Sequence, residues 1–365
     1  MGRPEFPGLF IGDDKNDDAK RKDSNKGAPL EHVQIDIGMW SFLYQSWNTT
    51  NLRRLHIQWT SDAGHALAAL AFRGELASVE TLWLAGIHKS SDGTCSDIHD
   101  IIGHIPALHD LRLTGNVTNA IFDTILHHHN ATIRSLYLQP YEEDEFEEGH
   151  VDDDSGQLFA WSPTMIQQLT ENCLLLEAVF VEVARTRGDR NEVALYRALG
   201  TMPHLKHLLL HLICPLDMGP GSEELDGNPT KITADAHKTT FTNAAVDKTL
   251  ARSIFNVISR EGQGCLQTLH LIPEFHARYH TGYTAAVRAL TLPWACTRQA
   301  NGEVVVEAIH KRETKDTIEE CAGMIEGNKL CLKGQEEIYP YVFMELWPGN
   351  EPWWEGWTSL PLDLS

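Results

Sequence analysis

Histidine is plentiful in this chain, with 19 among 365 residues. Imidazoles ligate metals and move protons near neutral pH, so each cluster needs a reading. His127, His128 and His129 close a segment of helical periodicity. There cations complement the helix dipole, and a metal site would need further ligands converging from elsewhere. His276 and His280 stand four apart after Glu274 and could share a helical face, but FHARYH lacks the HExxH order of a zinc hydrolase. His204, His207 and His211 flank or continue an apolar run and read as histidines beside a core. Residues 152–156, DDDSG, begin like a calcium loop, yet Gly156 takes a ligand position and Pro163 stands where the closing glutamate belongs, which excludes an EF-hand. GxSxG, Walker A, strand-following GxGxxG and kinase signatures do not occur. The expectation is therefore no catalytic residue, no metal and no cofactor. An enzyme with an unrecognised site and a purely structural repeat protein are the alternatives to a binding scaffold.

Charge narrows the class of partner. Lys plus Arg number 30 against 51 Asp plus Glu, a formal net charge of −21, so the global field repels nucleic acid and anionic membranes. The longest apolar runs, such as LLLHLI at 208–213, fall far short of the roughly 20 residues of a membrane span. The N-terminal stretch MGRPEFPGLFIGDDKNDD has no extended apolar region before a cleavage site, which points to an intracellular protein, cytoplasmic or nuclear. Seven cysteines without a CxxC pair read as reduced, mostly buried thiols.

The elements that would position a binding surface come from a recurring pattern. NLRRLHI (51–57), VETLWL (79–84), LHDLRL (108–113), IRSLYL (133–138), LEAVFV (176–181), LKHLLL (205–210) and LQTLHL (266–271) share one order: apolar, two variable, apolar, one variable, apolar. Their first apolar residues are Leu52, Val79, Leu108, Ile133, Leu176, Leu205 and Leu266, giving steps of 27, 29, 25, 43, 29 and 61 residues. Four of the six steps lie within the 20 to 29 residue period of leucine-rich repeats, and the two long ones need insertions. Between the strands, segments 63–76, 97–105, 119–129 and 191–199 carry apolar residues at spacings of three and four, the helical signal. A helix–strand unit cannot cover its own apolar face; stacked units share a core. The expected fold is α/β, a leucine-rich-repeat solenoid or horseshoe. Parallel strands line its concave face and helices its convex face, with a non-repeating C-terminal cap region.

Reading the variable residue between the last two apolar positions of each unit gives a row: His56, Trp83, Arg112, Tyr137, Phe180, Leu209 and His270. In a parallel stack these side chains project from the concave face, since alternate strand residues point to opposite sides. Trp, Tyr and Arg are the residues most enriched at binding hot spots, so the row is the candidate protein-binding surface. The bland alternative is that the C-terminal region folds back over the row and makes it core.

Around the repeats, residues 1–30 are charge-dense and form a disordered lead, and the repeats occupy 31–275 with insertions near 140–160 and 214–242. The first insertion contains YEEDEFEEGHVDDDSG (141–156), where nine of sixteen residues are Asp or Glu, and reads as a solvated loop. Residues 243–259 read as a helix, 303–309 as a strand and TKDTIEECAGMI (314–325) as an acidic helix, and 276–365 form the cap with a tail holding Trp347, Trp353, Trp354 and Trp357.

The irregular repeats, NAAVDKTLARSIFNVIS followed closely by LQTLHLIP, and the ending PGNEPWWEGWTSLPLDL resemble fungal leucine-rich-repeat proteins of the F-box type over roughly 40–365. The resemblance implies a substrate receptor whose F-box recruits a cullin-type ubiquitin ligase while the repeats hold the target. The chain departs from the family at its N-terminus, where the Leu-Pro and Glu-Ile-Leu pattern of an F-box is not found. Ligase subunits become partners only if an F-box lies upstream.

Overall fold

The computed structural model describes residues 31–35, 51–87, 96–140, 159–214, 223–225, 228–231, 233–261, 265–274, 287, 290–309, 338–349 and 357–365. Residues 1–30, expected as a disordered lead, the acidic run 141–156, His276, His280, the helix expected near 314–325, Trp353 and Trp354 lie outside the described residues. The sheet is ten-stranded, mostly parallel and not closed, and helices alternate with its strands. The chain divides into two compact units, residues 1–181 with 202–207, and 182–201 with 208–365, which are described in turn.

The first unit is the regular one. It runs β1 (His32–Ile35), β2 (Arg54–Gln58), α1 (Ser61–Phe72), β3 (Thr81–Ile87), α2 (Ser96–His104), β4 (Asp110–Gly115), α3 (Asn119–His129), β5 (Ser135–Pro140) and α4 (Pro163–Asn172), and then enters β6 (Ala178–Ala184). Every strand pair from β1 to β6 is parallel. Register follows the sequence motif. Leu55, Leu82, Leu111, Leu136 and Val179 pair in one column and Ile57, Leu84, Leu113 and Leu138 in a second. All nine are 0 to 1% exposed, as are the first apolar residues Leu52, Val79, Leu108, Ile133 and Leu176. A one-residue slip would turn these columns to the opposite face, so the apolar spacing itself fixes the register.

Helix starts follow capping chemistry: the hydroxyls of Thr60, Thr118 and Ser162 accept the backbone N–H of Ala63, Ile121 and Met165, three residues on. Gly115 has φ +110°, and a Cβ there would stand 2.4 Å from the backbone of Ile87, so only glycine lets β4 pass the bulge at the end of β3. Asn116 opens an Asn-Val-Thr triplet, the acceptor pattern for an N-linked glycan, but it is only 7% exposed, which leaves no room for a glycan. The next hydroxyl, Thr118, is spent on the α3 cap.

The second unit holds α5 (Arg190–Gly200), β7 (His207–Ile213), β8 (Glu223–Leu225), β9 (Asn228–Lys231), α6 (Ala234–Ala244), α7 (Lys248–Glu261), β10 (Thr268–Glu274), β11 (Trp294–Arg298), β12 (Val304–Ala308) and α8 (Ile338–Leu346). The segment expected as one helix over 243–259 is two. Ala245, with ψ 93°, ends α6, and Asp247 Oδ1 accepts the Leu250 N–H to start α7. The strand expected at 303–309 forms as β12, but it belongs to an antiparallel β10–β11–β12 meander, so the parallel pattern stops at β10. Gly200 lets α5 approach α7, since a Cβ there would meet Ile258 O at 2.4 Å.

The described end of the chain lies against α5 and the loop before it. Leu362 packs on Gly188, Asp363 N–H donates to Gly188 O at 2.7 Å, Arg197 Nη2 donates to Leu364 O at 2.9 Å, and Ser359 Oγ lies 2.7 Å from Asp247 Oδ1. Trp347 Nε1 donates to Thr358 O.

Candidate functional site

Parallel register places His56 beside Trp83, Trp83 beside Arg112, Arg112 beside Tyr137, and Tyr137 beside Phe180, on five successive strands. Neighbouring strands stand about 4.8 Å apart, a distance that flat side chains on one face close by leaning into ring contact. They do so along the whole row. The His56 and Trp83 rings stack at 3.5 Å with 3° between their planes. The Arg112 guanidinium carbon lies 4.2 Å from the Trp83 ring centroid and 4.1 Å from that of Tyr137, so aromatic rings cover both of its faces. Tyr137 then stacks on Phe180 at 4.0 Å and 22°. Each cation–π contact is worth about 0.5–2 kcal/mol depending on its desolvation.

Exposure falls along the row. His56, Trp83 and Arg112 are half-buried, Tyr137 is 5% exposed and Phe180 0%. The end at β2 to β4 is therefore accessible and the end at β6 is core. In the second unit Leu209 is buried at 8% and His270 is half-buried on β10, opposite Ala295. Asp110, on the same face as Arg112 and two residues before it, accepts from the Thr81 hydroxyl at 3.3 Å, and burial raises its carboxyl above the usual range. The Trp83 indole N–H is buried and has no hydrogen-bond partner among the described residues.

By sequence His211 is only a histidine beside the core. In the second unit its Nδ1 lies 3.1 Å from Glu274 Oε2 and 3.9 Å from Glu182 Oε1. Burial, and secondarily the charge of Glu274, pushes the Glu182 carboxyl up to about 8. Such a group can hold a proton at neutral pH. Its signal in sequence is only an alternating polar residue in an apolar strand, which many strands carry.

The other histidines separate into roles. His129 does more than complement a dipole: fully buried, its Nε2–H donates to Ile102 O at 2.8 Å and its Nδ1 accepts the Leu108 N–H at 3.4 Å. It ties α3 to the end of α2 and the approach to β4. Burial lowers its pKa from the usual 6.5, with His128 adding to the effect. The unfolded chain thus binds that proton more readily, and the stability His129 contributes is complete above about pH 6.5 and lost as pH falls below it. The denaturation midpoint is expected to fall between pH 7.5 and pH 5, and His129→Gln should reduce that fall. An identical pH profile in the variant would show that His129 does not contribute.

Among the described residues no group of three His, Cys, Asp or Glu converges to hold a metal ion, and no helix is long and apolar enough to cross a membrane. The described cysteines are free thiols, and burial pushes Cys173 up to about 11 and Cys214 and Cys296 up to about 12. Thiols so held are poor nucleophiles. No family model matches the chain, and no curated protein matches it.

Proposed function

We propose that this chain is a protein–protein interaction scaffold, that its helix–strand units form a leucine-rich-repeat solenoid, and that the row beginning at His56, Trp83 and Arg112 anchors the target. The observation that carries this is the unbroken stack from His56 to Phe180, buried at one end and accessible at the other. Rigid aromatic and guanidinium groups held by a core lose little freedom on binding, as hot-spot residues require. The resemblance to F-box receptors supports the recognition half of such a receptor, the repeats that hold a target inside the cell. Ligase subunits become partners only if an F-box lies upstream.

Immunoprecipitation from native extract is expected to recover a specific protein partner. Trp83→Ala and Arg112→Ala should then each weaken its binding by about 2 kcal/mol or more, read by calorimetry, while the circular dichroism spectrum is kept. If both substitutions unfold the protein, the row is internal core and the reading fails.

A further inference from the structure

We propose that the seat formed by α5 and the loop before it, held in this chain by residues 359–365, is a second protein-binding site. Its ligand is an extended segment of another protein in which a leucine is followed by an acidic residue. The chain's own strap is the intramolecular stand-in for that ligand. Every residue involved belongs to the second unit, so the inference does not rest on the row at Arg112.

The seat is shaped for a leucine. Gly188, at φ +70°, has no side chain, and a Cβ there would stand 3.0 Å from Leu362 Cδ2 and 3.2 Å from Leu362 Cα, so the strap lies directly on its backbone. Asp363 N–H donates to Gly188 O at 2.7 Å, which sets the position of the strap by main chain alone. Gly188 N–H in turn donates to the buried Glu192 carboxylate at 2.9 Å, so the seat keeps its shape without the strap. Arg190 Nε donates to Asp363 Oδ2 at 3.4 Å and its Nη2 to Ser365 Oγ at 2.9 Å, and Arg197, about two turns further along α5, donates from Nη2 to Leu364 O at 2.9 Å. Arg197 is shared with Glu261 at 4.0 Å, so Arg190 is the cation that reads the acid after the leucine.

The strap is held weakly enough to give way. Among residues 357–365 Leu362 alone is buried, and Leu360 and Leu364 are 45% and 47% exposed. The Arg190–Asp363 pair is exposed on both sides, and such pairs contribute little. At the other end Ser359 Oγ donates to Asp247 Oδ1 at 2.7 Å, an oxygen that already caps α7 by accepting the Leu250 N–H. One buried leucine and a few hydrogen bonds near the surface define a segment that opens locally while the rest stays folded. When it lifts, the Gly188 carbonyl, the leucine seat and Arg190 are presented together.

The full chain and a fluorescently labelled synthetic peptide of residues 357–365, blocked at both ends, test this by anisotropy. The strap competes at the high effective concentration of a tethered ligand, so the wild type should bind the peptide weakly. Leu362→Ala and, separately, Asp363→Arg should each bind it at least about ten-fold more tightly, because the strap then leaves the seat. Replacing the peptide's counterpart of Leu362 by alanine, or its aspartate by arginine, should remove that gain, as should Arg190→Ala within either variant. Asp363 is exposed, so Asp363→Arg carries the comparison should Leu362→Ala not fold. Equal affinity in the wild type and the folded variants, no binding by any of them, or undiminished binding of the altered peptides overturns the proposal. So does wild-type self-association in sedimentation that Leu362→Ala or Asp363→Arg abolishes, since a second copy would then be the occupant.

Discussion

Glu192→Ala is expected to destabilise the chain by about 3–5 kcal/mol, the usual consequence of removing one partner of a buried ion pair. Arg185 and Glu192 are both 0% exposed at the side chain. Oε1 of Glu192 accepts from Arg185 Nη1 and from the Tyr196 hydroxyl at 2.8 Å, and Oε2 accepts the backbone N–H of Thr186 at 2.7 Å and of Gly188 at 2.9 Å. One carboxylate thus gathers a cation, a phenol and two backbone donors. Burial, and then the neighbouring Glu192 charge, holds Tyr196 well above its usual pKa, so it stays a donor. Alanine would strand the guanidinium in apolar surroundings and leave those donors unpaired, each at a cost of about 1–3 kcal/mol. The same loop carries Arg187 at φ +61°, a strained region for a non-glycine residue, and supplies Gly188 as the seat of Leu362. Denaturant titration checks the expectation, and a loss below about 1 kcal/mol would mean that water reaches the pair. Replacing both charges, Arg185→Met with Glu192→Leu, should cost much less than the sum of the singles, because the pair's own desolvation is then avoided.

None of that network was legible in the sequence, and the reason is physical. RTRGDRNE at 185–192 has the composition of a solvated loop, and only the packing of the second unit takes Arg185 and Glu192 out of water. The repeat strands were legible because each places three apolar residues in a spacing that a sheet with one buried face demands. β1 was not, since HVQI is short and stands outside the Leu pattern, nor β11, where only Cys296 is buried. Two signals went unread. Ser162 before Pro163 is the cap and first-turn pair that opens α4, and Asp247 three residues before Leu250 caps α7. For the candidate site, the residue types and their row followed from periodicity, and the register pairs His56, Trp83, Arg112, Tyr137 and Phe180 on neighbouring strands of the first unit. The gradient of burial along the row did not follow, because the period of a strand fixes which face a residue shares and not how closely that face is packed.

Leu111→Ala is the second large expected effect, a loss of about 2–5 kcal/mol. Leu111 is 1% exposed and sits between Leu82 and Leu136 in the first apolar column, so truncation removes contacts on both sides and opens a cavity that two parallel strands cannot easily close. Leu111→Met, which conserves volume, should cost less than about 1.5 kcal/mol. The comparison that gives the result its meaning is with the next residue along. Arg112 points to the opposite face, as period two requires. Its loss removes two ring contacts, so Arg112→Ala should cost about 1–2 kcal/mol of stability at most while acting chiefly on binding. Leu111→Ala should lower stability heavily and reduce binding only through the fraction unfolded. If the two substitutions lower the denaturation midpoint equally, the face carrying Arg112 is as closed as the core face. An interaction surface must then be sought elsewhere on the chain.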